Sequence, residues 1–212
     1  MTQALSFVHR YEPAARSGVP ALLLLHGTGG NEDDLLPLGQ MIAPGAAMLS
    51  PRGQVLEHGM PRFFRRMAEG VFDEADVRHR ALQRADFITA ARERYGMAAP
   101  VALGYSNGAN IAAALLYLRP EALAGAVLLR AMVPLAAGPE ARIEGKPALI
   151  LSGAMDPIVP AANSAGLALA LEGAGAAVTH RILPAGHELS QADITVARNW
   201  LAAAPVGEGV AA

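Results

Sequence analysis

Short runs of uninterrupted apolar residues recur along the chain, each closed by a turn rich in glycine, proline or aspartate and followed by a stretch with helical spacing. Residues 21–25 form the first run and end in His26-Gly27-Thr28-Gly29-Gly30. An apolar run without polar alternation predicts a strand buried on both faces. The helix expected next is capped by Asn31 or Asp33, places Glu32, Asp33 and Asp34 at its positive end, and starts its apolar face at Leu35, Leu36 and Leu38. Pro37 makes that helix short or late in starting. Residues 46–50 predict a second buried strand, ended by Pro51-Arg52-Gly53. A long amphipathic helix is predicted over 73–95, with Val77, Leu82, Phe87, Ile88 and Ala91 toward the sheet, Arg78, Arg80, Arg84, Arg92 and Arg94 toward water, and Gly96 as its stop.

The alternation continues with strands over 101–103, 125–129, 148–152 and 177–183, and helices over 107–118, 163–171 and 189–204. Strands that alternate with helices imply an α/β fold: a mainly parallel central sheet covered on both faces, with binding sites at the carboxyl ends of its strands. At 212 residues, with no internal repeat and no linker, the chain is expected to form one domain over 1–204 and a flexible tail over 205–212. Hydrophobic residues make up 52% of it and aromatics 5%, so the core is expected to be aliphatic. A net charge of −2 without a long run of either sign gives no electrostatic reason for a nucleic-acid or anionic-membrane partner. A small molecule is the expected partner, and a homodimer stays open. The absence of cysteine excludes disulfides, thiolate metal sites and a cysteine nucleophile, and fits a reducing compartment. The first ten residues lack the pattern of a signal peptide and no apolar run approaches membrane-spanning length, so a cytoplasmic location is expected.

Most of the chemistry gathers around Val101-Ala102-Leu103-Gly104-Tyr105-Ser106-Asn107-Gly108-Ala109-Asn110. This strand-like run breaks into Gly-x-Ser-x-Gly and then into a helical pattern, which is the layout of a nucleophile elbow; glycines two positions either side of the serine leave room for a sharp reversal. A serine hydroxyl attacks well only when a base takes its proton, and the base works best when a carboxylate orients it. In chains with this elbow the order is Ser, then Asp or Glu, then His. Downstream histidines are His180, inside a predicted strand, and His187, in a loop between the last strand and the last helix. The loop position favours His187 as the base. Asp156, in Met155-Asp156-Pro157 after the strand at 148–152, is the acid expected to orient it, since its prolines hold the loop stiff. Glu188 is the alternative, and Glu140, Glu144 and Glu172 rank below it. Two N–H donors for the developing oxyanion are expected from Asn107, directly after the serine, and from Thr28 in the first glycine loop. That loop lacks the Gly-Lys-Ser/Thr ending of a phosphate loop, and His26 is expected to brace it rather than move protons.

Taken together, the ordered segments Leu25-His26-Gly27-Thr28-Gly29-Gly30-Asn31-Glu32-Asp33-Asp34-Leu35, Gly104-Tyr105-Ser106-Asn107-Gly108, Gly153-Ala154-Met155-Asp156-Pro157 and Gly186-His187-Glu188-Leu189 resemble the phospholipase/carboxylesterase family of α/β-hydrolases, to which acyl-protein thioesterases belong. The resemblance covers most of the chain. It implies an α/β-hydrolase fold, a triad of Ser106, Asp156 and His187, an oxyanion hole of Thr28 and Asn107, and no metal or cofactor. Asparagine after the serine, where thioesterases carry glutamine, is more similar to a bacterial branch of hydroquinone-resistance type.

The segment 51–72 is expected to be a long loop that overhangs the serine, with Arg52, Met60, Arg62, Phe63, Phe64, Arg65, Arg66 and Met67 available to it. Arg65 is the guanidinium expected to meet a substrate carboxylate, with Phe63, Met132 and Val133 as apolar lining. No large cap domain fits in the remaining length. The resulting expectation is a serine carboxylesterase for short to medium acyl chains, with acyl thioesterase or lysophospholipase action, or an idle triad in a binding protein, as the alternatives.

Overall fold

The computed structural model describes residues 5–204; the expected tail over 205–212 lies outside them. The chain runs β1 (His9–Glu12), β2 (Leu22–Leu25), α1 (Leu36–Ile42), β3 (Met48–Pro51), two small hairpins, β4 (Val55–Glu57) with β5 (Met60–Arg62) and β6 (Arg66–Ala68) with β7 (Val71–Phe72), and then α2 (Glu74–Tyr95). It continues through β8 (Val101–Tyr105), α3 (Asn107–Leu118), β9 (Gly125–Leu129), β10 (Pro147–Gly153), α4 (Ala161–Gly173), β11 (Ala177–Leu183) and α5 (Gln191–Ala203). Seven strands form the central sheet in the order β1-β3-β2-β8-β9-β10-β11. Among the described strands of this sheet, only β1 runs antiparallel to its neighbour.

Successive strand side chains point to opposite faces, and the apolar runs feed two cores at once. Leu23, Leu25, Ala102, Leu128 and Ile150 pack beneath α2, α3 and α4. Leu22, Leu24, Leu103, Val127 and Leu149 pack with Leu38 and Ile42 of α1 and Ala197 and Leu201 of α5. This explains why the strands carry no polar alternation: both faces are covered. From β2 the chain moves outward to β3 and later returns to place β8 on the other side of β2. The crevice beyond the carboxyl ends of β2 and β8 is therefore a topological switch point, the usual place for a site in an open α/β sheet.

Three differences from the sequence expectations have physical causes. The segment 51–72 is not a loop but two hairpins. Their turns lie at His58-Gly59, with φ of 52° and 82°, and at Glu69-Gly70, where Gly70 has φ of 74°. Arg84 is wholly buried, not solvent-facing, and Leu82 is 43% exposed, not core-facing. Position 84 is seven residues after Val77 and four before Ile88, so helical geometry puts it on the buried face whatever its charge. Its guanidinium lies between the Phe7 and Phe63 rings, 4.5 and 4.7 Å from their centroids, and burial pushes it down to about 9. Finally, β1 forms a paired edge that no apolar run announced, because its residues are half-buried or exposed. The predicted stop at Gly96 is observed in the left-handed region, with φ of 62°.

Candidate active site

Ser106 stands between β8 and α3 at φ 53°, ψ −115°, an unfavourable backbone for a residue with a side chain. The flanking glycines make the turn possible. A β-carbon at Gly108 would collide with the carbonyl of Leu25, and one at Gly104 with the first turn of α3. The reversal thus presents Oγ at the carboxyl edge of the sheet, half-exposed.

His187 reaches this hydroxyl from the loop between β11 and α5. Its Nε2 is 2.9 Å from Ser106 Oγ and its Nδ1 is 2.8 Å from Asp156 Oδ2. The second carboxylate oxygen of Asp156 accepts the N–H groups of Ile158 and Val159 at 2.8 and 3.0 Å. Burial by itself would raise the Asp156 pKa, but the Val159 N–H, the His187 ring and the Ile158 N–H outweigh it and hold the carboxyl below its usual range. An ionised carboxylate on Nδ1 places the ring proton there and leaves Nε2 as an acceptor for the serine proton. His180 lies elsewhere, bonded to Ser152 Oγ at 2.9 Å between β10 and β11. Glu188, the alternative acid, is exposed, and its backbone carbonyl, not its carboxylate, enters the local network.

Among the described residues, the backbone N–H groups of Thr28 and Asn107 have no hydrogen-bond acceptor in the protein. His26 braces the loop that carries Thr28: Nδ1 donates to the Gly27 carbonyl at 2.6 Å, and Nε2 accepts the Gly53 N–H at 2.9 Å. Burial lowers its pKa, which suits a neutral ring in that role. Thr28 Oγ1 is itself held by Arg62 Nη1 at 2.6 Å. The Asn107 side chain accepts the Phe63 N–H at 2.7 Å and so ties the hairpin segment to the elbow.

A cleft of about 40 Å³ opens beside Ser106, walled by Thr28, Asn107, Arg62, Arg66, Met132 and Val159. Of the four residues expected to line it, Met132 does. Phe63 does not: it is fully buried against the His26 ring, centroids 4.6 Å apart, and supports the site from below. Val133 packs on the core beside α4, its N–H held by Asn163. Arg65 points away, 61% exposed, because Asp73 and Asp76 at the start of α2 attract its guanidinium. Three larger grooves, one of about 590 Å³ between β11 and α5, are lined by none of Ser106, His187 and Asp156, while the small cleft has Ser106 in its wall.

One residue at the site went unread in the sequence. Arg130, fully buried at φ 58° just after β9, forms a two-point ion pair with Asp193 at 2.7 and 3.0 Å. It also donates to the carbonyls of Gly186 at 2.8 Å and Glu188 at 3.0 Å, one on each side of His187. The signal was present as an arginine ending an otherwise apolar strand.

No protein-family model matches the chain. The Bacillus subtilis (strain 168) protein named "Putative hydrolase MhqD" is 45% identical over 194 residues, covering 91% of this chain and 96% of its own. The crystal structure of a Bacillus cereus carboxylesterase superposes with a TM-score of 0.89 at 46% identity, over 92% of this chain and 93% of that one. The chain belongs to the phospholipase/carboxylesterase family of α/β-hydrolases. A carboxylesterase of that fold from Mesorhizobium loti, 34% identical over 94% of this chain and 96% of its own, superposes equally well, with a TM-score of 0.89. Within the phospholipase/carboxylesterase family this chain is a hydrolase of the esterase type. Among the described residues no helix is long and apolar enough to cross a membrane, and no cluster of three or more histidine, aspartate or glutamate side chains is arranged to hold a metal.

Proposed function

We propose that this esterase hydrolyses short carboxylic esters through an acyl-enzyme on Ser106. The observation that carries the reading is the continuous relay from Asp156 through His187 to Ser106, with spacings of 2.8 and 2.9 Å. His187 Nε2 takes the hydroxyl proton as Oγ attacks the ester carbonyl, and the Asp156 carboxylate stabilises the imidazolium that forms. The oxyanion rests on the N–H groups of Thr28 and Asn107, each worth about 3 to 4 kcal/mol of transition-state stabilisation by precedent. His187 then passes its proton to the departing alcohol. Water enters, loses a proton to the same nitrogen, and releases the acid.

The size of the cleft supports the short-chain preference. A cleft of about 40 Å³ walled largely by polar side chains offers a long acyl chain little apolar surface. Hydrolysis of p-nitrophenyl acetate by the wild type and by Ser106→Ala tests the assignment. The variant is expected to lose roughly 10⁴- to 10⁶-fold in kcat. Retention of more than a tenth of the wild-type rate would overturn it.

A further inference from the structure

We propose that Arg62 and Arg66 form an anion subsite in the cleft beside Ser106, and that the ester taken there carries a carboxylate. This rests on the esterase reading of the same cleft. Both guanidiniums line it. They share a single carboxylate, Glu57, whose oxygens lie 3.1 Å from Arg62 Nε and 2.9 Å from Arg66 Nε. Arg62, 3% exposed, spends Nη1 on Thr28 and directs Nε toward the Phe64 carbonyl. Among the described residues its Nη2, and both Nη groups of Arg66, have no acceptor in the protein, and none of the three is sealed from solvent.

Two cations on one anion leave a positive charge at a nearly buried position. The other charged groups around the cleft do not cancel it. Asp156 is committed to His187, Arg130 is committed to Asp193, and Glu69 stands exposed at the rim where water screens it. Burying a guanidinium beside a second one is costly, and burial followed by the Arg66 charge does lower the Arg62 pKa. A ligand carboxylate would supply the missing acceptors to the free Nη edges, the planar two-point geometry that arginine favours. Because Arg62 also holds Thr28, charge recognition and the oxyanion loop are joined by one side chain.

Two measurements test the subsite. In the first, calorimetric titration with succinate, which needs no turnover, compares the wild type, Arg66→Gln and Glu57→Gln. Succinate is expected to bind at least tenfold more weakly to Arg66→Gln and several-fold more tightly to Glu57→Gln, where the competing carboxylate is gone. Opposite signs are what general damage to the hairpins would not produce. Equal binding by wild type and Arg66→Gln, or weakening in both variants, would overturn the proposal. In the second, kcat/KM is compared for mono-p-nitrophenyl succinate against p-nitrophenyl butyrate, and for 4-acetoxybenzoate against phenyl acetate. An anionic preference of tenfold or more in the first pair places the carboxylate in the acyl half, and in the second pair in the leaving half. Hydrolysis of the neutral esters with no anionic preference in either pair overturns the subsite and leaves the esterase reading standing. Failure on all four esters overturns the esterase reading instead, and the succinate titration then decides the subsite alone.

Discussion

At Ser106 the backbone holds a conformation that costs of order 1–3 kcal/mol and persists only because its surroundings over-determine it. The glycines at 104 and 108 and the tight pass under the Leu25 carbonyl supply that constraint. Residue-level predictions follow from what each partner of Ser106 does. Asp156→Asn keeps the shape but removes the charge that fixes the His187 tautomer, so kcat for a p-nitrophenyl ester should fall by about 10⁴-fold with KM little changed. A fall of less than tenfold would remove Asp156 from the relay. Arg130→Lys retains a cation for Asp193 but loses the planar fork that spans the Gly186 and Glu188 carbonyls. The variant should fold, and its kcat should drop about tenfold as the His187 loop loosens. Identical kcat values would show that Arg130 does not position the loop. Ser106, Asp156 and His187 were legible in the sequence because each follows a predicted strand and is flagged by glycine or proline, features that chain order alone displays. Arg130 was not, and Arg62 and Arg66 were legible only as members of a segment over the serine, because their contacts depend on which distant groups they meet: Arg62 meets Thr28, 34 positions away, and Arg130 meets Asp193, 63 positions away.

At the scale of elements, α5 begins with a capping box in which Ser190 and Asp193 satisfy each other's backbone N–H groups, and Asp193 also receives Arg130. Burial alone would raise the Asp193 carboxyl, but the Arg130 guanidinium and the Ser190 donors hold it below its usual range. A carboxyl whose folded pKa is depressed contributes stability that is present above the unfolded value, about 3.9, and is lost as pH falls through the folded one. Stability of the wild type should therefore decline below pH of about 4, and the decline should be shallower in Asp193→Asn, as read by urea unfolding from pH 6 downward. Equal slopes would contradict the linkage. Helix α2 carries the opposite lesson. Its residues were assigned to faces by chemical type, yet angle overruled type at Arg84, whose three guanidinium nitrogens have no hydrogen-bond partner between the two phenylalanine rings. Arg84→Met, which fills the slot without a buried charge, should leave Tm unchanged or raise it. A fall in Tm would mean that the cation and the rings attract each other more strongly than desolvation opposes them. The hairpins of 51–72 were missed for a related reason: strands of two or three residues are too short for periodicity, and only the glycines at 59 and 70 mark their turns.

For the molecule as a whole, the apolar runs announced the architecture well. Gly125–Leu129 lies where the pattern placed it because a strand covered on both faces leaves a strong signal, whereas Ala177–Leu183, half-exposed at the sheet edge, was legible from its β-branched residues. The hairpins of 51–72 replace a cap domain. They contribute Arg62 and Arg66 to the wall of a small cleft that α3 and the loop after β9 complete. Across p-nitrophenyl esters from acetate to decanoate, kcat/KM should peak among the short chains; a steady rise to decanoate would contradict a cleft of this size. The central claim, that Ser106 is the nucleophile, is tested most directly by treating the wild type and Ser106→Ala with a fluorophosphonate and mapping the adduct by mass spectrometry. A single adduct on Ser106, absent from the variant and blocked by prior substrate, is the predicted result. An adduct at another residue, undiminished labelling of Ser106→Ala, or an unlabelled wild type would contradict it.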